Sequence, residues 1–240
     1  MRSMMMLTTL FLVNSFLVDS AVVCSQEKTA LEIDSTGWID LFPDKDLSRW
    51  KRVALDQGLS EKSPWKVDGD VLICEGAGGP GAPKTNAAGV ITGAKEMLLY
   101  DQPFEDGIFH VEFRFQPLEG MHDYNSGAYI RSLDGKIWHQ VQIAHLSIPP
   151  YMGDLFHMIP SHGKTERIVF AGTAAPHVKP AGQWNSIEIS AEEKEIQVHM
   201  NGHHTLTWQD CSVPKGMVGM QSEFYNIEFR NIKYRPEDRK

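Results

Sequence analysis

Along most of this chain, short runs of alternating apolar and polar residues are separated by turn signals. The clearest run is Ile108–Gln116, where Phe109, Val111, Phe113 and Phe115 form one face and His110, Glu112, Arg114 and Gln116 the other. A slip of one residue would bury the charges, so the register of this predicted strand is well specified. Residues 137–143 repeat the pattern, with Ile137, Val141 and Ile143 inward, His139 an inward exception, and Trp138, Gln140 and Gln142 outward. In 124–132, Ala128 and Ile130 make an apolar face, while Tyr129 and Arg131 are expected to point the other way. Residues 185–190 and 195–200 read as a hairpin, Asn201-Gly202 as a type I′ turn into 204–208, and the chain closes with strands over 217–222 and 227–234. Turn signals also fall at Asp68-Gly69, Asp106-Gly107, Asp134-Gly135 and Pro214–Gly216. Helical periodicity is scarce, so the expected fold is all-β, an antiparallel sandwich or barrel. Residues 147–164 look irregular, as a loop that could roof a groove.

The first residues change the picture at one end only. Arg2, an apolar run over 4–17, and small residues at Ser20 and Ser25 read as a secretory leader, giving a signal peptide over 1–25 and one domain over 26–240. The expected location is therefore secreted or periplasmic. Lipid attachment at Cys24 is disfavoured by Val23 before it. No other stretch approaches the ~18 apolar residues of a membrane span. The net charge of −8, from 23 basic and 31 acidic residues, argues against a nucleic-acid partner. In an oxidising compartment Cys74 and Cys211 could pair or remain two separate thiols. The oligomeric state is not readable.

Candidate chemistry follows if the three central strands are neighbours. One sheet face would then present His110, Glu112, Arg114, Tyr129, Arg131, Trp138, Gln140 and Gln142, joined by Gln221. An antiparallel sheet commonly keeps one face in water, and such a face is polar for that reason alone. Between Glu96 and Gly163, however, the only lysine is Lys136, and planar multidentate groups dominate. Arg and Gln suit vicinal hydroxyls, while Trp and Tyr offer flat apolar surfaces with a polar handle. A sugar groove is the sharper reading, with Glu112 as an ionised base held by neighbouring arginines. His122 and Asp123 could line its rim. Other features carry less: His199, His203 and His204 match no structural zinc spacing, 78–83 lacks the ending of a phosphate loop, and no nucleophile elbow occurs. No cofactor is expected, although a divalent metal stays open. Asp40, Asp44 and Asp46 could serve a calcium-dependent adhesion domain.

Taken in order, the segments at 37–53 (GWIDLFPDKDLSRWKRV), 65–76 (WKVDGDVLICEG), 104–115 (FEDGIFHVEFRF), 125–132 (NSGAYIRS), 179–189 (KPAGQWNSIEI), 198–202 (VHMNG) and 218–234 (VGMQSEFYNIEFRNIKY) resemble the 3-keto-disaccharide hydrolase domain family. The resemblance implies a concanavalin A-like jelly-roll sandwich of two curved antiparallel sheets. It also implies a substrate class, glycosides whose ring is oxidised to a ketone at C3. Such a ketone acidifies the C2 proton, so a base can remove it, the aglycone can leave from C1, and water can add to the alkene. The residues expected to carry this are Glu112 as base, Arg114 or Arg131 at O3, and His145 or Gln140 near the leaving group, with Tyr129, Trp138, Gln140, Gln142 and Gln221 binding the sugar. Relatives often carry Glu-x-Gln followed by Asp where this chain has Gln140 and His145, and a glutamine cannot act as a base. A non-catalytic carbohydrate-binding module is the alternative.

Overall fold

The computed structural model describes residues 27–55, 59–60, 62–76, 84–85, 91–92, 95–120, 123–133, 137–145, 152–159, 164–168 and 173–237. The leader, His122, the glycine-rich 78–83 and Asp134-Gly135 lie outside these residues. In chain order the strands are β1 (Ile39–Asp40), β2 (Trp50–Ala54), β3 (Trp65–Asp68), β4 (Val71–Cys74), β5 (Lys84–Thr85), β6 (Ile91–Thr92), β7 (Glu96–Tyr100), β8 (Gly107–Phe115) and β9 (Tyr124–Leu133), followed by β10 (Ile137–His145), β11 (Leu155–Ile159), β12 (Lys164–Ile168), β13 (Asn185–Glu192), β14 (Glu195–Met200), β15 (His203–Trp208), β16 (Met217–Ser222) and β17 (Ile227–Pro236).

These strands form a jelly-roll sandwich of two antiparallel sheets. The back sheet runs β15-β14-β13-β8-β17-β4-β3, with β1 added beside β17, and the front sheet runs β12-β11-β10-β9-β16-β7-β2. Between them lies one apolar core, built from the inward residues of both sheets. Phe109, Val111, Phe113 and Phe115 fill it from β8, and Ala128, Ile130, Val141 and Ile143 face them from β9 and β10. Alternation along each strand is therefore the cause of the layering. At the Asn201-Gly202 turn the φ angles are 50° and 85°, the left-handed values a type I′ hairpin requires. Part of 147–164 is regular: Leu155–Ile159 is strand β11, paired with β10 from Trp138↔Met158 to Val141↔Leu155.

Two polar devices hold the frame. Between the sheets, the buried Glu96 accepts from Arg52 Nε and Nη2, both at 2.7 Å, and from the Trp65 indole N–H at 3.0 Å, which ties front strands β2 and β7 to back strand β3. On the outer side of the back sheet, the single-turn helix α1 (Ala30–Ile33) starts at a capping box of Thr29 and Glu32. Its first amides, Ala30 N and Leu31 N, donate to Glu188 of β13 at 2.8 and 3.2 Å, so a side chain of the sheet anchors the N-terminal segment. Cys74 and Cys211 are both buried, free thiols, so the optional pairing does not form. Burial pushes the Cys74 thiol up to about 11.

Candidate functional site

Strands β10, β9 and β16 are neighbours in the front sheet, and their outward positions bring together all five predicted sugar-binding residues. Gln140 lies opposite Tyr129, and Gln142 opposite Gly127. Across the other edge of β9, Gly219 faces Tyr129 and Met220 faces Ala128, which sets Gln221 beside Gly127. The amides form a chain across three strands. Gln140 Nε2 donates to Gln221 Oε1 at 2.7 Å and, weakly, to Gln142 Oε1 at 3.4 Å, while Gln142 Nε2 donates to Asn125 Oδ1 at 2.5 Å. Gly127 makes room for this, because a Cβ there would stand 2.1 Å from Gln140 Nε2.

Around the amides the face is aromatic and apolar. The Tyr129 and Trp138 rings meet edge to face with centroids 5.7 Å apart, and Met97 and Leu99 from β7 complete the cluster. Tyr129 is 0% and Trp138 6% exposed, and neither the Tyr129 hydroxyl nor the Trp138 indole nitrogen has a hydrogen-bond partner. Two buried donors on one face are costly unless something accepts from them, and a ligand oxygen would. Burial first, and then the charge of Glu223, raise the Tyr129 hydroxyl well above the usual phenol range, so Tyr129 is a neutral donor.

Carboxylates reach this face from residues outside the predicted set. Glu223, two positions beyond Gln221, is 4% exposed and pairs with Lys95 Nζ at 2.5 Å. Asp154 is fully buried, and its backbone carbonyl accepts from Gln142 N at 2.8 Å, which continues the β10–β11 register and places it on the same side as Phe156. Asn125 and Glu223 were recoverable from the sequence, since each continues a period-two row through Tyr129 or Gln221. Asp154 sits in a stretch without alternation and gave no such signal.

The predicted catalytic residues do not join this face. Glu112 and Arg114 lie on β8, which belongs to the back sheet, and they point away from the sandwich on its far side. There they form cross-strand pairs with β17: Arg230 Nε donates to Glu112 at 2.6 Å, Asn231 Nδ2 donates to its other oxygen at 2.7 Å, and Arg114 pairs with Glu228. Opposite charges directly across an antiparallel pair are ordinary sheet stabilisation. Arg131 is a correction of a different kind. Relative to both neighbours, β9 carries one extra residue between Tyr129 and Leu133, and Arg131 takes φ 49°. This bulge breaks the alternation and turns Arg131 to the inner side with Ile130. There it is 1% exposed, with Nη2 donating to Asp106 at 2.7 Å and Nη1 to the Glu193 carbonyl at 2.6 Å. His145 also points inward, against Phe115 and Tyr124 with centroids 5.9 and 6.3 Å away, and burial lowers its pKa.

Among the described residues no group of three or more His, Cys, Asp or Glu side chains is placed to hold a metal ion. Asp40 and Asp46 serve local turns, accepting from the Phe42 and Ser48 amides. Asp123, expected at the rim, is half-buried just before β9.

A two-sheet jelly roll with amides, aromatics and carboxylates gathered on one sheet face defines a β-sandwich of the carbohydrate-active class. The chain belongs to the 3-keto-alpha-glucoside-1,2-lyase-like domain family, which it matches over residues 37–235. None of the curated proteins matches it. Similar solved structures include the carbohydrate binding module CBM66 from Bacillus subtilis, with 12% identity, 77% of this chain and 93% of that chain covered, and a TM-score of 0.55. A "putative glycosyl hydrolase" from Parabacteroides distasonis shares 20% identity over 83% of this chain and 99% of its own, again with a TM-score of 0.55. At such identities these two establish the shared fold.

Proposed function

We propose that this protein cleaves glycosides carrying a ketone at C3, that it does so on the outer face of the front sheet, and that the leader-like residues 1–25 send it out of the cytoplasm. The observation that carries this reading is the convergence on one face of Tyr129, Trp138 and the amide row with the Lys95-paired carboxylate of Glu223. Glu223 takes the proton at C2, made acidic by the neighbouring ketone. Charge then builds on O3, where the neutral Tyr129 hydroxyl donates to it. The electron pair left at C2 forms the C1=C2 bond and expels the aglycone from C1. The departing alcohol needs a proton, for which Asp154 on the same face is the candidate donor. Water adding at C1, with a proton returned to C2, completes a net hydrolysis. Gln140 and Gln142 position hydroxyls and take no part in proton transfer.

A chromogenic 3-keto-glucoside and its unoxidised parent test the proposal. Release from the keto compound alone is expected, falling roughly 10²–10⁴-fold in Glu223→Gln. Undiminished release by that variant would remove Glu223 from the role. The amide-only centre of the face favours a second reading, a binding module, and saturable binding of the keto compound without release would establish it.

A further inference from the structure

On the far side of the molecule, between the N-terminal segment and the outer face of the back sheet, lies a pocket of about 180 Å³. We propose that it is a second carbohydrate site, which takes one neutral, polyhydroxylated ring and works independently of the front-sheet face.

The pocket is built around His110. This residue is 1% exposed, and its Nδ1 lies 2.9 Å from Glu188 Oε1. The same carboxylate accepts the Ala30 and Leu31 amides, so it is an acceptor already fixed in place. Facing a carboxylate, Nδ1 carries a ring proton and donates to it. The other ring nitrogen, Nε2, is buried without a partner, on a residue that lines the pocket. A ligand hydroxyl, which both donates and accepts, can satisfy a ring nitrogen of this kind.

The remaining walls indicate which ligand. Trp184 forms an apolar side, its ring flanked by the guanidinium carbons of Arg114 at 4.6 Å and Arg230 at 4.1 Å. Ser186, Glu112, Arg230 and Lys179 supply donors and acceptors around it. Glu112 and Arg230 pair at 2.6 Å, and Glu27, Glu32 and Lys179 also line the pocket, so an anion would meet carboxylates and a cation would meet a guanidinium and an ammonium. Hydroxyls, which both donate and accept, fit a mixed lining of this kind. The pocket opens to solvent, and its volume corresponds to several waters that an entering ring would displace.

The test is a titration of the full chain with D-glucose, followed by the ring-nitrogen NMR signals of His110 at mildly alkaline pH, with the signal assigned from its loss in His110→Gln. Acetate and methylammonium serve as charged probes. Glucose is expected to move the Nε2 signal saturably while neither ion does. Trp184→Ala is expected to weaken the effect about tenfold, and Gln140→Ala, on the other face, to leave it unchanged. An immobile signal up to the solubility of glucose, a response to an ion in place of glucose, or loss of the response in Gln140→Ala would each overturn the proposal. The wild-type titration decides by itself, so poor folding of Trp184→Ala does not blunt the test.

Discussion

Removing Asp106 should reveal what Arg131 does. The pair is closed at 2.7 Å with side-chain exposures of 1% and 2%, so Asp106→Ala leaves a guanidinium in the interior with the Glu193 carbonyl and the Cys211 sulfur as its remaining partners. Breaking a buried ion pair from one side costs about 3–5 kcal/mol, because the surviving charge stays desolvated. For a domain of this size each kcal/mol moves Tm by about 2–4 °C, so the expected loss is roughly 6–20 °C. Replacing both partners, as in Asp106→Leu with Arg131→Met, removes the stranded charge and should recover much of the loss. Urea unfolding of the wild type, both single variants and the double variant gives the coupling energy directly. Affinity for a 3-keto-glucoside, measured well below the transition, should be the same in all of them. An Asp106→Ala cost under ~1 kcal/mol with no coupling, or a loss of sugar affinity in fully folded Arg131→Met, would return the arginine to the ligand-binding face.

Other outcomes follow from the same geometry. Glu112→Gln should retain turnover and change stability by less than about 1 kcal/mol, since its partner Arg230 is more than a third exposed; an activity assay with a thermal melt checks both. Gly127→Ala must push the buried Gln140 aside, so sugar affinity should fall and overpacking should cost about 1–3 kcal/mol of stability, as calorimetric titration and a thermal melt would show. His139, buried beside His157 and Arg131, has its pKa lowered to about 4, by burial first and then by those two neighbours. Its folded pKa lies below the unfolded one near ~6.5, so the unfolded chain binds the extra proton and stability falls as pH drops from about 6.5 to 4, by roughly 3 kcal/mol in full. Urea midpoints at pH 5 and 7 should converge in His139→Leu. Cys74, with its thiol at about 11, should resist alkylation at pH 8 until the chain is unfolded, which mass spectrometry would report.

Most of the fold was legible because alternation reports which side chains face the core, as it did for β8 and β10, and because turn signals marked the β13–β14 hairpin. What alternation does not report is which sheet a strand joins. The crossing from Phe115 to Tyr124 moves the chain from the back sheet to the front one, and nothing in residues 116–123 marks that switch. Glu112 and Tyr129 were therefore assigned to one surface when they lie on two. Tyr129, Trp138, Gln140, Gln142 and Gln221 do share one face, because they all sit on strands that are adjacent. The carboxylates on that face were less legible: Asp154 lies in an unpatterned stretch, and Glu223 just past the end of β16. Arg131 was misplaced by a single irregular residue, which a strict period of two cannot represent.

That extra residue in β9 has an evolutionary consequence. Because Arg131 and Ser132 together oppose Trp138, deleting the codon for Ser132 would restore the simple alternation and swing the arginine outward. An internal strut would become a cationic contact for whatever occupies the face, so relatives that differ by this one indel should separate into neutral-ligand and anionic-ligand branches even where their remaining residues agree.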